Sequence, residues 1–334
     1  VSSLIDGVPH QPSISSYTKI VRDKALLRKA IHCGLNIQSQ ASEHFADAQE
    51  VISQANEAAM NLTLDQRKRL AEPLSAIMPR MLKELYEYRK VDAERDAIGL
   101  RTGLKALDKK TTGYRLGEYV IVSGGTADGK TSMAIQAIIA NLYDDVPTLL
   151  FSHEMTSEAI AMRILAAVGE LEHSELRDSR SVNMFEIEKL PKLCETLGKW
   201  PLWVDDASGL HVREIVARIR AFVRRNKVKL VVVDYIQLVK GDGESSTERL
   251  TDVSGHLREI AKDEKIALLA LCQYGRMENK TKRRPTLMDL KGASSLEQDA
   301  HMVLACYRPQ DENMVYRGND EIIILKQRNG PTGL

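Results

Sequence analysis

The chain has 334 residues, of which 43% are hydrophobic and 28% charged, a composition that excludes an intrinsically disordered protein. Its 47 Lys and Arg residues balance 46 Asp and Glu residues, giving a net charge of +1 at pH 7. Any contact with nucleic acid must therefore come from a local basic patch. The aromatic content of 5% argues against an all-β sandwich.

The cysteines and the hydropathy pattern predict a cytoplasmic protein without a membrane partner. Four cysteines lie far apart and form no Cys-x-x-Cys pair, which excludes a zinc ribbon and a disulfide scaffold and predicts a reducing compartment. No apolar run reaches the roughly 18 residues of a membrane span. The first residues lack the features of a signal peptide and an initiator Met, as expected of a fragment.

The first 97 residues are predicted to be helical, with no convincing strand. From residue 74 onward apolar side chains recur three and four positions apart, as on one helix face. They are Leu74, Ile77, Met78, Met81, Leu85 and Tyr88. Pro79 within this stretch either kinks the helix or marks its first turn. The densely charged residues 83–95 are typical of a solvated helix end or a linker.

After Gly99 the sequence changes to short apolar runs separated by longer amphipathic segments. The predicted strands are Tyr119–Ser123, Thr148–Ser152, Leu202–Asp205, Leu230–Asp234, Ile266–Cys272, Met302–Cys306 and Glu321–Lys326. Helices are predicted between them, including Ser132–Asn141. Continuously apolar strands alternating with helices predict an α/β fold with a mostly parallel sheet covered by helices on both faces.

The segment Gly124–Thr131, Gly-Gly-Thr-Ala-Asp-Gly-Lys-Thr, fits the phosphate-loop pattern G-x-x-x-x-G-K-[ST]. A predicted strand precedes it and a predicted helix follows it, a context that disfavours a chance glycine-rich turn. Glycines turn backbone N–H groups toward phosphate oxygens, and the helix N-terminus adds partial positive charge. The predicted nucleotide-binding residues are Gly124, Gly125, Thr126, Ala127, Asp128, Gly129, Lys130, Thr131 and Ser132.

Three side chains are candidates for contact with the phosphates and their metal ion. Lys130 is expected to reach the β- and γ-phosphates, and the Thr131 hydroxyl to bind Mg²⁺. Asp234 ends the apolar run Leu-Val-Val-Val-Asp. A carboxylate at the carboxyl end of a buried parallel strand can hold Mg²⁺ directly or through water. An Asp that merely starts a turn is the alternative interpretation of Asp234.

Hydrolysis of a nucleotide also needs a group that orients or deprotonates water. Glu154 follows the predicted strand Thr148–Ser152 at the same edge of the sheet. A solvated loop glutamate is its alternative interpretation. Gln273 ends another predicted strand, where an amide can sense the γ-phosphate. An amide that bonds to backbone explains this glutamine equally well.

Candidate functional basic side chains lie in two places. The run that includes Lys282, Arg283 and Arg284 either contacts a phosphate backbone or belongs to a solvated loop. Lys326 and Arg328 lie at the end of the last predicted strand. Arg328 is either an arginine finger that enters a neighbouring active site or a surface residue.

Seven segments together resemble one protein family. They are Thr102–Asp108, Gly124–Thr131, Phe151–Met155, Asp205–Leu210, Val233–Leu238, Ser295–Asp299 and Lys326–Pro331. In this order they resemble the DnaB-type replicative DNA helicases, which are hexameric motors with a RecA-like fold. The resemblance covers nearly all of residues 98–334. Residues Tyr17–Arg28 also look like the last helical part of that family's N-terminal domain, most of which would be absent here.

The resemblance implies three regions. Residues 1–62 would be a helical remnant of the N-terminal domain, residues 63–97 would contain a linker helix that docks on an adjacent subunit, and residues 98–334 would form a RecA-like P-loop ATPase domain. The resemblance also implies ATP and Mg²⁺ as cofactors. It implies single-stranded DNA, primase and a helicase loader as partners, in a hexameric ring.

The resemblance assigns roles to single residues as well. Glu154 would be the glutamate that activates water, and Gln273 would sense the γ-phosphate and report it to the DNA-binding loops. Lys326 and Arg328 match the basic pair offered to the neighbouring subunit's nucleotide. The residues that match the loop gripping single-stranded DNA are Lys291, Gly292 and Ser294.

Three residues depart from the family pattern. Asp128 puts a negative charge near a triphosphate, so we expect weaker nucleotide binding unless its side chain points away. His153 stands where the family has leucine. Lys291 stands where the family has arginine, which puts bidentate phosphate binding in doubt. These changes are expected of a divergent member, such as one carried by a phage or plasmid.

The resemblance therefore implies an ATP-driven ring that translocates on single-stranded DNA and separates the duplex. One alternative is a RecA-like recombination or clock-type ATPase that does not unwind DNA, which the linker-like helix disfavours. A second is a nucleotide-switched helicase loader or partner that does not hydrolyse nucleotide. The combination of Glu154, Gln273 and Arg328 disfavours that alternative.

Overall fold

A computed structural model describes most of the chain, in two compact units, Val1–Tyr86 and Glu87–Leu334. The described residues are 14–42, 71–90, 97–172, 188–275, 283–290, 293–309 and 318–333, together with residues 51, 55, 58, 174 and 176. The predicted division of the N-terminal region at residue 62 lies outside them.

Two long helices account for most of the described residues before position 91. Helix α1 spans Ile14–Ala41 and helix α2 spans Leu74–Lys90. Pro79 lies in the second turn of α2, one turn beyond the first-turn position that proline favours. The apolar side chains of Leu74 and Leu82 are exposed. Among the described residues, no helix combines the length and apolarity that crossing a membrane requires.

The rest of the described chain alternates strands with helices, as the sequence predicts. Its elements are α3 (Lys105–Thr111), β1 (Tyr119–Gly124), α4 (Lys130–Leu142), β2 (Thr148–Ser152), α5 (Ser157–Gly169), α6 (Leu190–Leu197), β3 (Leu202–Asp205), α7 (Val212–Asn226), β4 (Leu230–Asp234), α8 (Ser246–Glu264), β5 (Ala267–Gln273), α9 (Ala293–Asp299), β6 (Met302–Tyr307) and β7 (Glu321–Gln327). Short 3-10 turns follow β4 at Ile236–Leu238 and precede α9 at Leu287–Asp289.

The strands form one seven-stranded sheet in the order β3-β2-β4-β5-β1-β6-β7. Neighbouring strands pair in parallel except for β7, which runs antiparallel to β6. The mostly parallel α/β fold is therefore confirmed, and each predicted strand agrees with an observed one to within a residue at either end.

Helices cover both faces of this sheet. Val120 and Val122 of β1 pack in one cluster with Ile135 and Ile138 of α4. Alternate residues of a strand point to opposite faces. Helix α8, whose buried side chains lie outside that cluster, packs against β1 and β5. Because both faces are covered, the central strands β1, β2 and β4 are buried along their whole length.

The topology places chemically active side chains at two edges of the sheet. Strands β1, β2, β4 and β5 are parallel, so the residues that follow them meet at one edge, here called the carboxyl edge. Strand β7 returns antiparallel, with Gln327 opposite Met302 at the start of β6. The residues that follow β7 therefore lie at the other edge, here called the amino edge.

Candidate nucleotide-binding site

The loop between β1 and α4 has two positions that favour glycine. A Cβ atom on Gly124 would lie 2.9 Å from Cγ of Lys130 and 3.3 Å from Cβ of Cys306, which is tighter than ordinary contact. Gly129, immediately before α4, has a φ angle of +91°, which other residues rarely adopt. These glycines bring the loop backbone to the N-terminus of α4, as a phosphate loop requires.

The ammonium group of Lys130, the first residue of α4, is folded onto the phosphate loop. Its Nζ donates hydrogen bonds to the carbonyl oxygens of Gly124 at 3.0 Å and Gly125 at 2.7 Å. Burial lowers the pKa of Lys130, while the nearby carboxylates of Asp128 and Asp234 oppose that shift. The same ammonium can exchange these carbonyls for phosphate oxygens, which form stronger, charge-assisted bonds.

The carboxylate of Asp128 points into its own loop and does not line the cleft beside it. Its Oδ2 accepts a hydrogen bond from the N–H of Gly125 at 2.7 Å, and the residue is only 4% exposed. Of the two outcomes that the sequence left open, the structure shows the one in which this side chain points away. The charge nevertheless remains close enough to act on Lys130.

Thr131 and Asp234 form a pair of oxygen ligands suited to Mg²⁺. The Thr131 hydroxyl donates to Oδ2 of Asp234 at 2.9 Å, and Asp234 is 3% exposed. Burial raises the pKa of Asp234, and the hydrogen bond from Thr131 opposes this shift. Mg²⁺ prefers oxygen ligands and usually takes only one or two from protein, the others coming from water and phosphate. This pair fits that preference, and the described residues contain no larger cluster of acidic, His or Cys ligands.

The side chain of Gln273, at the end of β5, contacts the phosphate loop. Its Nε2 donates to the Thr126 hydroxyl at 2.8 Å. Its amide therefore bonds to another side chain, unlike the alternative in which it bonds to backbone. The Gln273 amide is therefore placed to respond to a phosphate group bound in the loop.

Glu154 is exposed and lines the same cleft. The N–H of the preceding residue, His153, donates to the carbonyl oxygen of Asp234 at 2.8 Å, which holds the ends of β2 and β4 together. Burial is the main cause of the raised pKa values of Asp234 and Tyr235, and the negative charge of Glu154 raises both further. This carboxylate is thus both solvated and close to the candidate metal ligands.

These groups surround a cleft of about 310 Å³ at the carboxyl edge. The predicted residues that line it are Thr126, Ala127, Gly129, Lys130, Thr131, Ser132, Glu154, Asp234 and Gln273. Gly124, Gly125 and Asp128 belong to the same loop but do not line the cleft.

Four residues that the sequence reasoning missed also line the cleft, namely Met155, Arg163, Tyr235 and Arg308. Arg308 donates to the carbonyl oxygen of Ala127 at 3.2 Å and pairs with Asp320 at 2.9 Å. It follows β6 at the carboxyl edge, so the rule that located Glu154 could have found it. Arg163 lies within α5, and no sequence pattern marks it.

Lys326 and Arg328 lie at the amino edge, far from this cleft. Lys326 Nζ donates to the carbonyl oxygen of Ala300 at 3.0 Å, and Arg328 Nη2 donates to that of Gln298 at 2.5 Å. The N–H of Arg328 donates to the carbonyl oxygen of His301, directly before β6. The length of β6, roughly 17–20 Å at about 3.3 Å per residue, separates the pair from the cleft. These cations therefore do not belong to the nucleotide cleft of their own chain.

The predicted DNA-binding residues are only partly within the described chain. Those outside it are Lys282, Lys291 and Gly292. Of Ser294 only the backbone is described, and it lies in α9. Their role in DNA binding stays a prediction.

Arg283 and Arg284 each form an ion pair through two hydrogen bonds. Arg283 binds the carboxylate of Asp289 at 2.7 and 2.5 Å, and Arg284 binds that of Glu321 at 2.6 and 2.7 Å. The guanidinium groups are exposed but already engaged. A DNA phosphate would have to compete with these carboxylates.

The fold and the site together define a class of protein. A glycine-rich loop joins the central strand β1 to α4, and an Asp, a Glu and a Gln lie at the carboxyl ends of three neighbouring strands. This is the arrangement of a RecA-like P-loop ATPase domain.

Comparisons with known sequences identify the family. The model of the DnaB-like helicase C terminal domain matches residues 99–334. The replicative DNA helicase DnaB of Pasteurella multocida is 31% identical, over all of this chain and 74% of its own length. The replicative DNA helicase DnaC of Bacillus subtilis is 28% identical over the same shares of the two chains. The chain belongs to the DnaB-like helicase family.

Solved structures agree on the fold. One of them, an isolated ATPase domain, superposes with a TM-score of 0.70 at 24% identity, covering 79% of this chain and 94% of that one. A DnaB-like replicative helicase, described with its interactions with primase, superposes with a TM-score of 0.74 at 24% identity. That match covers 94% of this chain and 74% of the other.

Proposed function

We propose that this chain is an ATP-hydrolysing replicative DNA helicase, which translocates on single-stranded DNA as a ring and separates the duplex. The observation that carries the proposal is the division of the catalytic groups between two edges of one sheet. The cleft holds Lys130 and Glu154, whereas Arg328 lies at the amino edge. Such a site is complete only when copies pack head to tail, and repeated head-to-tail contacts can close into a ring.

Each cleft residue has a distinct role in the proposed reaction. Lys130 leaves the loop carbonyls and binds the β- and γ-phosphate oxygens. Glu154 accepts a proton from the attacking water. Thr131 and Asp234 are the residues that would hold Mg²⁺, which when bound offsets the negative charge of the phosphates. Gln273 detects the γ-phosphate from its place beside the phosphate loop.

The end of β5 connects the cleft to the predicted DNA-binding segment. Immediately after Gln273, Tyr274 forms an antiparallel bridge with Leu290, and the N–H of Gly275 donates to the carbonyl oxygen of Asp289 at 3.0 Å. Leu290 directly precedes Lys291 in the sequence. A shift of Gln273 on loss of the γ-phosphate would therefore be transmitted to Lys291 through two residues of paired backbone.

The proposal extends to assembly and partners. Family membership supports a hexameric ring that uses ATP and Mg²⁺ and binds single-stranded DNA. The division of the catalytic groups between the cleft and the amino edge, here called the split site, supports the ring as well. The resemblance adds primase and a helicase loader as proposed partners. ATP-dependent displacement of a strand from a forked duplex tests the function and separates it from an ATPase that does not unwind DNA.

The DNA contacts can be tested by charge removal. Replacing Lys291 by alanine should weaken single-strand binding on all sequences alike and reduce the salt dependence by about one phosphate contact. Alanine at Lys282, Arg283 and Arg284 together should have a smaller effect per charge, because two of these residues are already ion-paired. Fluorescence anisotropy with labelled oligonucleotides at several salt concentrations measures both quantities.

The matched control for this DNA-binding test is Lys199→Ala. It removes an exposed lysine between α6 and the start of β3, at the amino edge of the sheet. Binding and salt slope should match those of the unaltered protein in this control. If both test variants behave like Lys199→Ala, the DNA site lies elsewhere.

The loop aspartate should weaken nucleotide binding. Asp128→Asn keeps an oxygen acceptor for the Gly125 N–H and removes the negative charge, so we expect ATP to bind roughly threefold to tenfold more tightly, as for a charge interaction of about 1 kcal/mol. Titration with a fluorescent ATP analogue measures the affinity, and Asp145→Asn in an exposed turn is the control. Unchanged affinity would show that the Asp128 charge does not reach the phosphates.

A further inference from the structure

Strand β5 extends beyond the end of its neighbour β4. Pairing between the two stops at Val233 and Ala270, whereas β1 pairs with β5 as far as Gln273. The last residues of β5 therefore have a strand beside them on one side only. On the β4 side, the N–H and carbonyl groups of Gln273 would need other partners, because unpaired buried backbone groups are costly.

The side chain of Gln237 supplies both partners. Its Nε2 donates to the carbonyl oxygen of Gln273 at 2.9 Å, and its Oε1 accepts from the N–H of Gln273 at 3.3 Å. One primary amide thus offers the donor and acceptor that a strand backbone would offer. Nε2 also lies 3.1 Å from Sγ of Cys272. Gln237 belongs to the 3-10 turn Ile236–Leu238, which begins two residues after the candidate Mg²⁺ ligand Asp234 at the end of β4.

We propose that Gln237 is a positioning residue that holds the backbone of Gln273, and with it the sensor side chain, against the phosphate loop. Hydrogen bonds link three parts of the site in series. Gln237 joins the segment after Asp234 to the backbone of Gln273, and the Gln273 side chain joins Thr126 in the loop. The inference rests on the proposed function, because a sensor matters only if ATP is hydrolysed.

Other contacts do not replace this restraint. Tyr274 is bridged to Leu290, and its N–H donates to the carbonyl oxygen of Gly124 at 3.2 Å, so the chain beyond the sensor is tied to β1 and to the DNA-binding segment. Neither contact involves the β4-facing groups of Gln273. Among the described residues, the other bond to these groups comes from the Cys272 thiol, a weak donor that lies 3.5 Å from the Gln273 carbonyl oxygen. Without the Gln237 amide, the sensor residue can rotate about its own backbone while its neighbours stay fixed.

A double-mutant cycle tests the inference by its effect on turnover. ATP hydrolysis is measured with and without single-stranded DNA for the wild type, Gln237→Ala, Gln273→Ala and the double variant. Gln237→Ala should lower DNA-stimulated turnover roughly tenfold, as expected when a two-bond amide contact is removed. In the Gln273→Ala background the same change should have almost no further effect, because the side chain that it positions is gone.

Gln237→Glu and the exposed Gln136→Ala complete the set of variants. The glutamate keeps an acceptor but cannot donate to the Gln273 carbonyl. The loss of DNA-stimulated turnover in Gln237→Glu should therefore equal or exceed the loss in Gln237→Ala. Gln136→Ala removes an exposed glutamine from α4 and should behave like wild type. Thermal unfolding of each variant shows whether a loss comes from general destabilisation.

Amide hydrogen exchange gives a readout that does not depend on activity. The Gln273 amide should exchange faster in Gln237→Ala than in wild type, while amides of buried β4 residues such as Val231 stay protected. If Gln273 protection is unchanged, or if Gln237→Ala costs the same turnover with and without the Gln273 side chain, the inference is wrong. If the wild type does not hydrolyse ATP, the proposed function fails, and the exchange result still decides the backbone contact.

Discussion

Glu154→Gln should bind ATP with nearly unchanged affinity and lose turnover by roughly a hundredfold to ten-thousandfold, the usual contribution of a general base. The amide keeps the shape and the place of the carboxylate in the cleft but cannot accept a proton from water. Steady-state phosphate release and equilibrium binding of a fluorescent ATP analogue separate these two effects.

The control for this base assignment is Glu158→Gln, which alters an exposed glutamate in the first turn of α5 that does not line the cleft. Its turnover should equal that of the wild type. Lys130→Ala is the complementary variant and should lose hydrolysis because the charge on the β- and γ-phosphates is removed. Normal turnover in Glu154→Gln would show that another group activates the water.

Arg328→Ala should bind nucleotide normally, but its rate of hydrolysis should fall by about a thousandfold or more if the guanidinium acts as an arginine finger. The residue lies at the amino edge, where its side chain bonds to the end of α9, so it cannot complete its own cleft. It neutralises transition-state charge only when a neighbouring subunit presents its cleft to it.

Mixing two inactive proteins tests this action between subunits. In rings containing both Arg328→Ala and Lys130→Ala chains, some interfaces combine an intact phosphate loop with an intact Arg328 from the next subunit. Those interfaces should recover part of the hydrolysis. Native mass spectrometry must first show that mixed rings form, and Arg225→Ala, at an exposed position in the last turn of α7, should remain active alone.

Failure of the mixture would be informative. If mixed rings form and hydrolysis does not rise above that of either parent, Arg328 does not act across the interface, and the split site loses its main support. Complete recovery is not expected, because translocation around a ring needs several competent interfaces in succession.

The sheet could be predicted from sequence because its signals are local. Parallel strands buried on both faces have no polar alternation, so runs such as Leu230–Asp234 stand out between amphipathic helices. The phosphate loop is likewise a contiguous pattern. The rule that carboxyl ends of parallel strands share an edge then brought Asp234 and Glu154 together correctly.

Features that depend on distant contacts could not be predicted. The direction of β7 is set by its pairing with β6, and only that pairing shows that Arg328 lies at the edge opposite the cleft. The inward turn of Asp128 is a local feature, but it depends on a single backbone N–H of its own loop that the residue pattern does not identify. Gln237 lies in the family-like segment Val233–Leu238, but its partner Gln273 is 36 residues away. The sequence does not reveal that β5 extends beyond β4 at that point.

The most direct test of the central claim is ATP-dependent strand displacement on a forked duplex with a single-stranded tail. The protein should displace the labelled strand when ATP and Mg²⁺ are present and fail to do so with a non-hydrolysable analogue, and Lys130→Ala should be inactive under all conditions. ATP hydrolysis stimulated by single-stranded DNA without any strand displacement would contradict the claim, and would favour a RecA-like ATPase that moves on or coats DNA without separating it.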